Sequence, residues 1–361
     1  MIRPNAHVAM MDAYALADLS APPGKRLVSL CQNESLRPPS PLAAEAAARA
    51  ARDQHLYPDP DWTTLRAAIG ALHRIDPAAI ICGNGSLDLI GCLARAYLAP
   101  GDAALIPAHA YPFFRTATLA TGARLDTAPE KDLTVDAAAL LAAVTPATRI
   151  VFVANPGNPT GTRISTADLT QLRQTLPEDV LLVIDEAYGE FADTPQDHCF
   201  DLVDRGNAVI LRTFSKAYGL AGARVGWGVF PASIAAEVRK VLNPNNVSAA
   251  SQAAAAAALS DQGYMRETCA LTTGIRDRFR ADLQGTSLCL PQSFTNFALI
   301  RFPSASAAQA ADSALRAEGI FLRAQGGADL PECLRATIGV ADDMALAAEV
   351  LKDWCKREGL S

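Results

Sequence analysis

Val180 to Tyr188 read VLLVIDEAY, five apolar residues followed by two carboxylates, an alanine and a tyrosine. A strand with one wet face alternates apolar and polar residues, whereas an unbroken apolar run fits a strand covered on both faces, as in a parallel sheet. Asp185 then stands at the carboxyl end of that strand, where open parallel sheets bind their ligands. Taken alone, DEAY could equally be a helix or turn cap. The reading extends outward to further β-rich runs at Ile80 to Cys82, Ala103 to Pro107, Ile150 to Ala154, Val209 to Thr213 and Val225 to Phe230. Between them apolar residues recur at helical spacing: Trp62, Leu65, Ile69 and Leu72, then Leu87 to Leu98, then Ala167 to Leu176 with Ser165 or Thr166 as its cap. Alternating strands and helices from about Pro58 to Val241 predict an α/β domain built on a parallel sheet.

After Asn243-Pro244-Asn245-Asn246 the pattern changes to alanine-rich helices, including the run Ala253 to Ala258. Strands follow near Phe297 to Phe302 and Leu334 to Ile338, and a last helix starts from Asp342. The expected organisation is a large domain over 56–243 and a smaller one over 244–361, with residues 1–55 joining the smaller.

Half of the 361 residues are hydrophobic and the formal net charge is -6. A chain of this length can bury a large core. It shows no basic stripe of the kind that displaces counterions from nucleic acid, so no nucleic-acid partner is expected. No run approaches the roughly 20 apolar residues that span a bilayer. Met1 to Leu19 carries Arg3, Asp12 and Asp18 in place of a leader's apolar core, so a cytoplasmic location is expected. The eight cysteines include no C-x-x-C pair and the five histidines no H-x-x-x-H pair. Reduced, mostly buried thiols and no metal site are the expectation.

Three further segments carry chemistry beside DEAY. TFSKAYGLAGARVGW, Thr213 to Trp227, sets a lysine just past a strand end and an arginine eight residues on among glycines. NPGNPTG, Asn155 to Gly161, is a turn that presents Asn158 after the strand IVFVA. Gly83-Asn84-Gly85-Ser86 joins a strand to the helix beginning near Leu87, aiming backbone N–H groups and the positive helix end at an anion. Asp88 breaks the G-x-G-x-x-G pattern, which disfavours a dinucleotide fold. Singly, these read as a solvated lysine, a strand terminator and an ordinary strand-to-helix turn.

Together, in this order and at these separations, the four segments resemble the fold-type I pyridoxal-phosphate enzymes. Within that group the chain is similar to the histidinol-phosphate aminotransferase family. The similarity runs from Gln32-Asn33-Glu34 through Tyr57-Pro58-Asp59, GNGSLDLI, NPGNPTG, DEAY and FSKAYGLAGARVG to NVSAASQAA, TNFALIRF and CLRATIG. It implies an α/β fold in which helices flank a mostly parallel seven-stranded sheet, a smaller α+β domain, a pyridoxal 5'-phosphate cofactor and a homodimer.

The resemblance also implies roles. Lys216 would hold the cofactor as a Schiff base and then serve as the base at the substrate Cα. An amine is an effective base near neutral pH only when its pKa is lowered, which a cationic pyridinium and Arg224 nearby would do. Asp185 would pair with the pyridine nitrogen and keep it protonated as an electron sink. Asn158 and Tyr188 would donate to the phenolic oxygen, and Tyr111 would stack on the ring. Gly85, Ser86, Leu87, Thr213, Ser215 and Arg224 would hold the phosphate, Arg224 through its fork, with Tyr57 reaching in from the other subunit. Arg335 would bind the α-carboxylate of the substrate, Arg323 its distal phosphate or carboxylate, and Asn158 would border the same space.

Two departures from the family pattern lie at the pocket rim. Family members commonly carry a Pro-Tyr in the N-terminal segment, whereas MDAYALADLS places no proline before Tyr14; Arg37 and Pro38 replace a usual glycine. The leading expectation is amino transfer between L-histidinol phosphate and 2-oxoglutarate. An aromatic or broad-range amino-acid aminotransferase is the alternative, with a threonine-phosphate decarboxylase behind it. A ligand-sensing regulator would need a DNA-binding module, and no basic recognition helix precedes Tyr57.

Overall fold

A computed structural model describes residues 2–13, 19–192 and 199–360. Tyr14 and His198 lie outside them. Among the described residues the strands are β1 (Val28–Ser29), β2 (Ile80–Gly83), β3 (Ala103–Pro107), β4 (Arg124–Ala128), β5 (Thr148–Ala154), β6 (Leu181–Asp185), β7 (Ala208–Thr213), β8 (Gly226–Val229), β9 (Phe297–Arg301), β10 (Ile320–Phe321), β11 (Arg323–Gln325) and β12 (Leu330–Thr337).

Seven of them form one sheet in the order β2-β8-β7-β6-β5-β3-β4. β8 alone runs against its neighbours, pairing antiparallel with β2 and β7, and the remaining pairs are parallel. The sheet is therefore the mostly parallel one expected. Every residue of β6 and β7 is buried, which is why their sequences show no alternation. β4 was not among the expected strands. It is an edge strand, RLDTA, in which only Ala128 is fully buried, so it carries little of the apolar signal that marks the central strands.

Helices Thr63–His73, Ser86–Tyr97, Pro112–Leu119 and Thr166–Thr175 occupy the connections. Ser165 caps the last of these in a reciprocal pair with Asp168, satisfying amide groups that the first helical turn leaves open. β11, β12 and β9 form a separate antiparallel sheet, and β1 pairs parallel with β10. Val28 and Leu30 pack in the cluster of β9, β12 and helices Ala305–Ala317 and Ala341–Arg357. The helix Ala249–Ser260 instead packs along helix Pro41–Ala50. Ala43, Ala254, Ala255 and Ala258 belong to the same buried cluster as the seven-stranded sheet. Alanine faces let these two helices approach closely, so both are drawn onto the larger core.

Residues 30–34 cross between the two units. Leu30 donates to Phe321 O at 2.9 Å and accepts from Thr337 N at 2.8 Å, which fixes the chain just before it passes over the end of the large sheet.

Candidate active site

The carboxyl ends of β2, β5, β6 and β7, together with the start of the reversed strand β8, share one end of the large sheet. Gly85 and Ser86 follow β2, Asn158 follows β5, Asp185 ends β6, Thr213 ends β7 and Arg224 precedes β8. Tyr111 stands just before the helix that follows β3, at the same end of the sheet. Residues spread over more than a hundred positions thus converge because parallel strands end together.

Lys216 projects from the turn after β7, and its Nζ donates to Asn33 O at 3.0 Å. Burial, reinforced by Arg335 and Arg224, lowers its pKa to about 8, against the opposing pull of Glu34 and Asp185. Asp185 is buried and accepts from Ala187 N at 3.0 Å. Burial raises its carboxyl to about 7, although the Ala187 amide and Lys216 both favour the ionised form. The lysine is thus less basic and the carboxyl less acidic than usual, perturbations of the kind that mark functional sites. Tyr188 is also buried, edge-on to Phe297, and burial pushes its phenol up to about 12. Its hydroxyl accepts from Asn33 Nδ2 at 2.8 Å. Asn33 contacts Lys216 and Tyr188 at once and had no role in the expectations above. Nothing in QNE as a string signals which side chains, far along the chain, its polar groups will meet.

Beside this pair lies a cradle of donors. Thr213 Oγ1 donates to Ser215 Oγ at 3.0 Å, and Arg224 donates to Ser215 Oγ at 3.4 Å and to Ala221 O at 3.0 Å. Gly85, at φ +78°, lies against the Arg224 guanidinium, where any side chain would collide with it. A side chain at Gly226 would run into the backbone of Gly85 and Ser86. The two glycines hold the Ser86 turn flush against the start of β8. Hydroxyls of Ser86, Thr213 and Ser215, the Arg224 guanidinium and the start of helix Ser86–Tyr97 make a donor set suited to a phosphate dianion. With a buried carboxylate and a lysine of lowered pKa on the same end of the sheet, the residues present fit pyridoxal phosphate.

Arg335 on β12 and Arg323 on β11 are paired across the antiparallel ladder, so both side chains leave the same face. Arg335 is buried, donating to Asn158 Oδ1 at 2.6 Å and to Cys31 O at 2.9 Å, while its Nε has no hydrogen-bond partner among the described residues. Two guanidinium groups directly opposite cost stability unless an anion joins them. Arg37 turns elsewhere: it stacks over the Tyr264 ring at 3.9 Å and pairs with Glu267 at 3.5 Å, on helix Gln262–Asp282. Tyr57 is 88 % exposed, and its hydroxyl meets none of the described residues.

The chain matches the model of the aminotransferase class I and II family over residues 25–351. It is 43 % identical to the histidinol-phosphate aminotransferase of Paramagnetospirillum magneticum, covering 91 % of this chain and 92 % of that one. It is 41 % identical to that of Rhodospirillum centenum, covering 98 % of each. Among solved structures it superposes with a TM-score of 0.92, at 31 % identity, on the histidinol-phosphate aminotransferase of Sinorhizobium meliloti in complex with pyridoxal-5'-phosphate, covering 99 % of this chain and 98 % of that one. Pyridoxal phosphate is accordingly its cofactor and amino transfer its chemistry. With its sheet, donor cradle and lysine–carboxylate pair arranged as described, the chain belongs to the class I and II aminotransferases and, within them, to the histidinol-phosphate aminotransferase family.

Proposed function

We propose that this aminotransferase moves the amino group of histidinol phosphate to 2-oxoglutarate, in histidine biosynthesis, as a cytoplasmic homodimer. The observation that carries the substrate is the cross-strand pair of Arg323 and Arg335. Two cations on one face suit a donor that bears an anion remote from its reacting carbon, and they suit the two carboxylates of the acceptor. The names of relatives 41 to 43 % identical support the same reading.

Lys216 carries the cofactor covalently and later takes and returns the proton at the substrate Cα, its lowered pKa making the neutral amine available. Pyridoxal phosphate, once bound, supplies the electron-withdrawing ring that accepts the electrons of the broken Cα bond. Asp185 holds a proton on the ring nitrogen. Asn158 and Tyr188 orient the phenolic oxygen, and Tyr111 covers the ring. Gly85, Ser86, Leu87, Thr213, Ser215 and Arg224 bind the phosphate, and Arg335 and Arg323 bind the substrate's anions.

Donor profiles test the arginines. Arg323→Ala should lower kcat/KM for histidinol phosphate about 10- to 100-fold, the worth of a charge-assisted pair of roughly 1.5 to 3 kcal/mol, while affecting phenylalanine much less. Arg335→Ala should penalise glutamate more than an amine without a carboxylate. Equal losses for every donor would show that both arginines serve only the fold.

Tyr57 bears on the dimer, because its exposed hydroxyl is available to a second chain. If each site borrows Tyr57 from the partner, a heterodimer of Tyr57→Phe and Lys216→Ala chains contains one site with both lesions and one with none. Its activity per chain, at limiting cofactor, should exceed that of either parent homodimer. Verified heterodimers without this rescue, despite an impaired Tyr57→Phe parent, would place Tyr57 in its own chain's site or outside any site.

A further inference from the structure

We propose that Asn33 is a positioning residue for the reaction: its backbone carbonyl holds the Lys216 amine while its side-chain amide sets the direction in which Tyr188 presents its proton. The inference rests on reading Lys216 as the cofactor-bearing lysine and Tyr188 as facing the phenolic oxygen.

Asn33 is 2 % exposed and lies at φ +54°, in the left-handed region that asparagine tolerates better than most residues. All four of its polar groups are engaged. Its N donates to Thr337 Oγ1 at 2.8 Å, and its O accepts from Lys216 Nζ at 3.0 Å and from Asn296 Nδ2 at 3.1 Å. Its Oδ1 accepts from Thr337 Oγ1 at 3.2 Å and its Nδ2 donates to Tyr188 at 2.8 Å. Asn296 donates as well to Glu34 O at 3.0 Å, pinning the next peptide. One residue of the crossing segment is thus tied to β12, to the turn before β9, to the lysine and to the tyrosine.

The order of donors and acceptors fixes a direction. Thr337 Oγ1 takes the Asn33 N–H and gives its own proton to Oδ1, which leaves Nδ2 to face Tyr188. A tyrosine hydroxyl has a single proton. Since this hydroxyl accepts from Asn33, its proton points away from Asn33, and the edge-on contact with Phe297 at 5.2 Å limits how the ring can turn. Lys216 is faced by Asp185 and Glu34 of one sign and by Arg224 and Arg335 of the other, with the Tyr188 ring 5.9 Å away. Among these charges the Asn33 carbonyl is an uncharged acceptor that holds the amine in place.

The test uses holoenzyme and reads the midpoint of the pH titration of visible absorbance from the lysine-bound cofactor, with thermal stability measured alongside. Asn33→Asp keeps the shape but replaces the donor facing Tyr188 by an acceptor and adds a negative charge beside Lys216. Its midpoint should rise by about one pH unit or more. Asn33→Gly keeps the left-handed backbone and the carbonyl but removes the amide. Its midpoint should rise by less, because Tyr188 then donates less steadily to the phenolic oxygen, and the rise should disappear in a Tyr188→Phe background. Thr337→Val, which removes only the hydroxyl that orients the amide, should shift the midpoint the same way and carries the test if the Asn33 variants do not fold. Unchanged midpoints in the folded variants, with activity falling only as thermal stability falls, would overturn the inference. So would a shift in Asn33→Gly that persists undiminished without the tyrosine hydroxyl. Wild-type cofactor trapped by borohydride on a residue other than Lys216 would instead sink the underlying reading, whereas normal trapping with unchanged midpoints sinks only the role of Asn33.

Discussion

Lys216→Ala is expected to lower turnover roughly 10⁴-fold or more, since it removes both the covalent anchor of the cofactor and the base that moves the Cα proton. The geometry explains why one residue carries so much. Its amine is buried beside two arginines, which lowers its pKa to about 8, and it is held at 3.0 Å by the Asn33 carbonyl. At pH 7 roughly a tenth of such an amine is neutral, against about one part in a few thousand for an exposed lysine. Labelling of cofactor-free protein with an amine reagent should therefore modify Lys216 with a midpoint near pH 8. Borohydride reduction of the holoenzyme followed by peptide mass mapping should place the adduct on Lys216. An adduct on another lysine, or a Lys216→Ala enzyme with turnover near wild type, would remove the lysine from the mechanism.

Asp185→Asn should produce two effects of opposite sign. In the holoenzyme, turnover should drop about 10²- to 10³-fold, the usual cost of removing one preorganised electrostatic partner, because an amide cannot keep the ring nitrogen protonated. In the cofactor-free protein the same substitution should raise thermal stability. Burial raises the folded pKa of Asp185 to about 7, from an unfolded value near 3.8. The folded state thus holds a proton that the unfolded state releases, and stability is lost as pH rises through that interval. Wild type and Asp185→Asn should have similar melting temperatures below about pH 4. The variant should pull ahead between there and pH 7 and keep a constant lead above it. Melting curves that stay parallel from pH 4 to 8 would show that Asp185 is not held as a strained carboxylate, and unchanged turnover would separate it from the ring nitrogen.

Asp185 was legible in the sequence because it ends a buried strand, and Lys216, three residues past the end of another, only in the company of the other segments. Runs such as LLVI and AVIL report burial on both faces by themselves, and a carboxylate directly after LLVI is conspicuous. Gly85 was visible as a break between a strand and a helix, whereas Gly226, inside an expected strand, gave no sign of its contact with the Ser86 turn. β4 was not visible, because an edge strand buries too little to leave a pattern. The reversal of β8 was not either, since direction is settled by which neighbours a strand pairs with.

Local pattern thus determined that this chain builds a doubly covered sheet with Asp185 at its ligand-binding end, and the joint order of four segments, in their resemblance to a known family, added Lys216 and the glycine-rich anion turn. Only the tertiary structure decided that Arg323 lies opposite Arg335, that Arg37 stacks on Tyr264, that helix Ala249–Ser260 joins the larger core, and that Asn33 reaches Lys216 across 183 positions of chain. The division is physical. Burial and backbone preference act on neighbouring residues and leave a periodic trace in the sequence, whereas the partner of a given donor, acceptor or helix face is chosen by non-local packing, which leaves none.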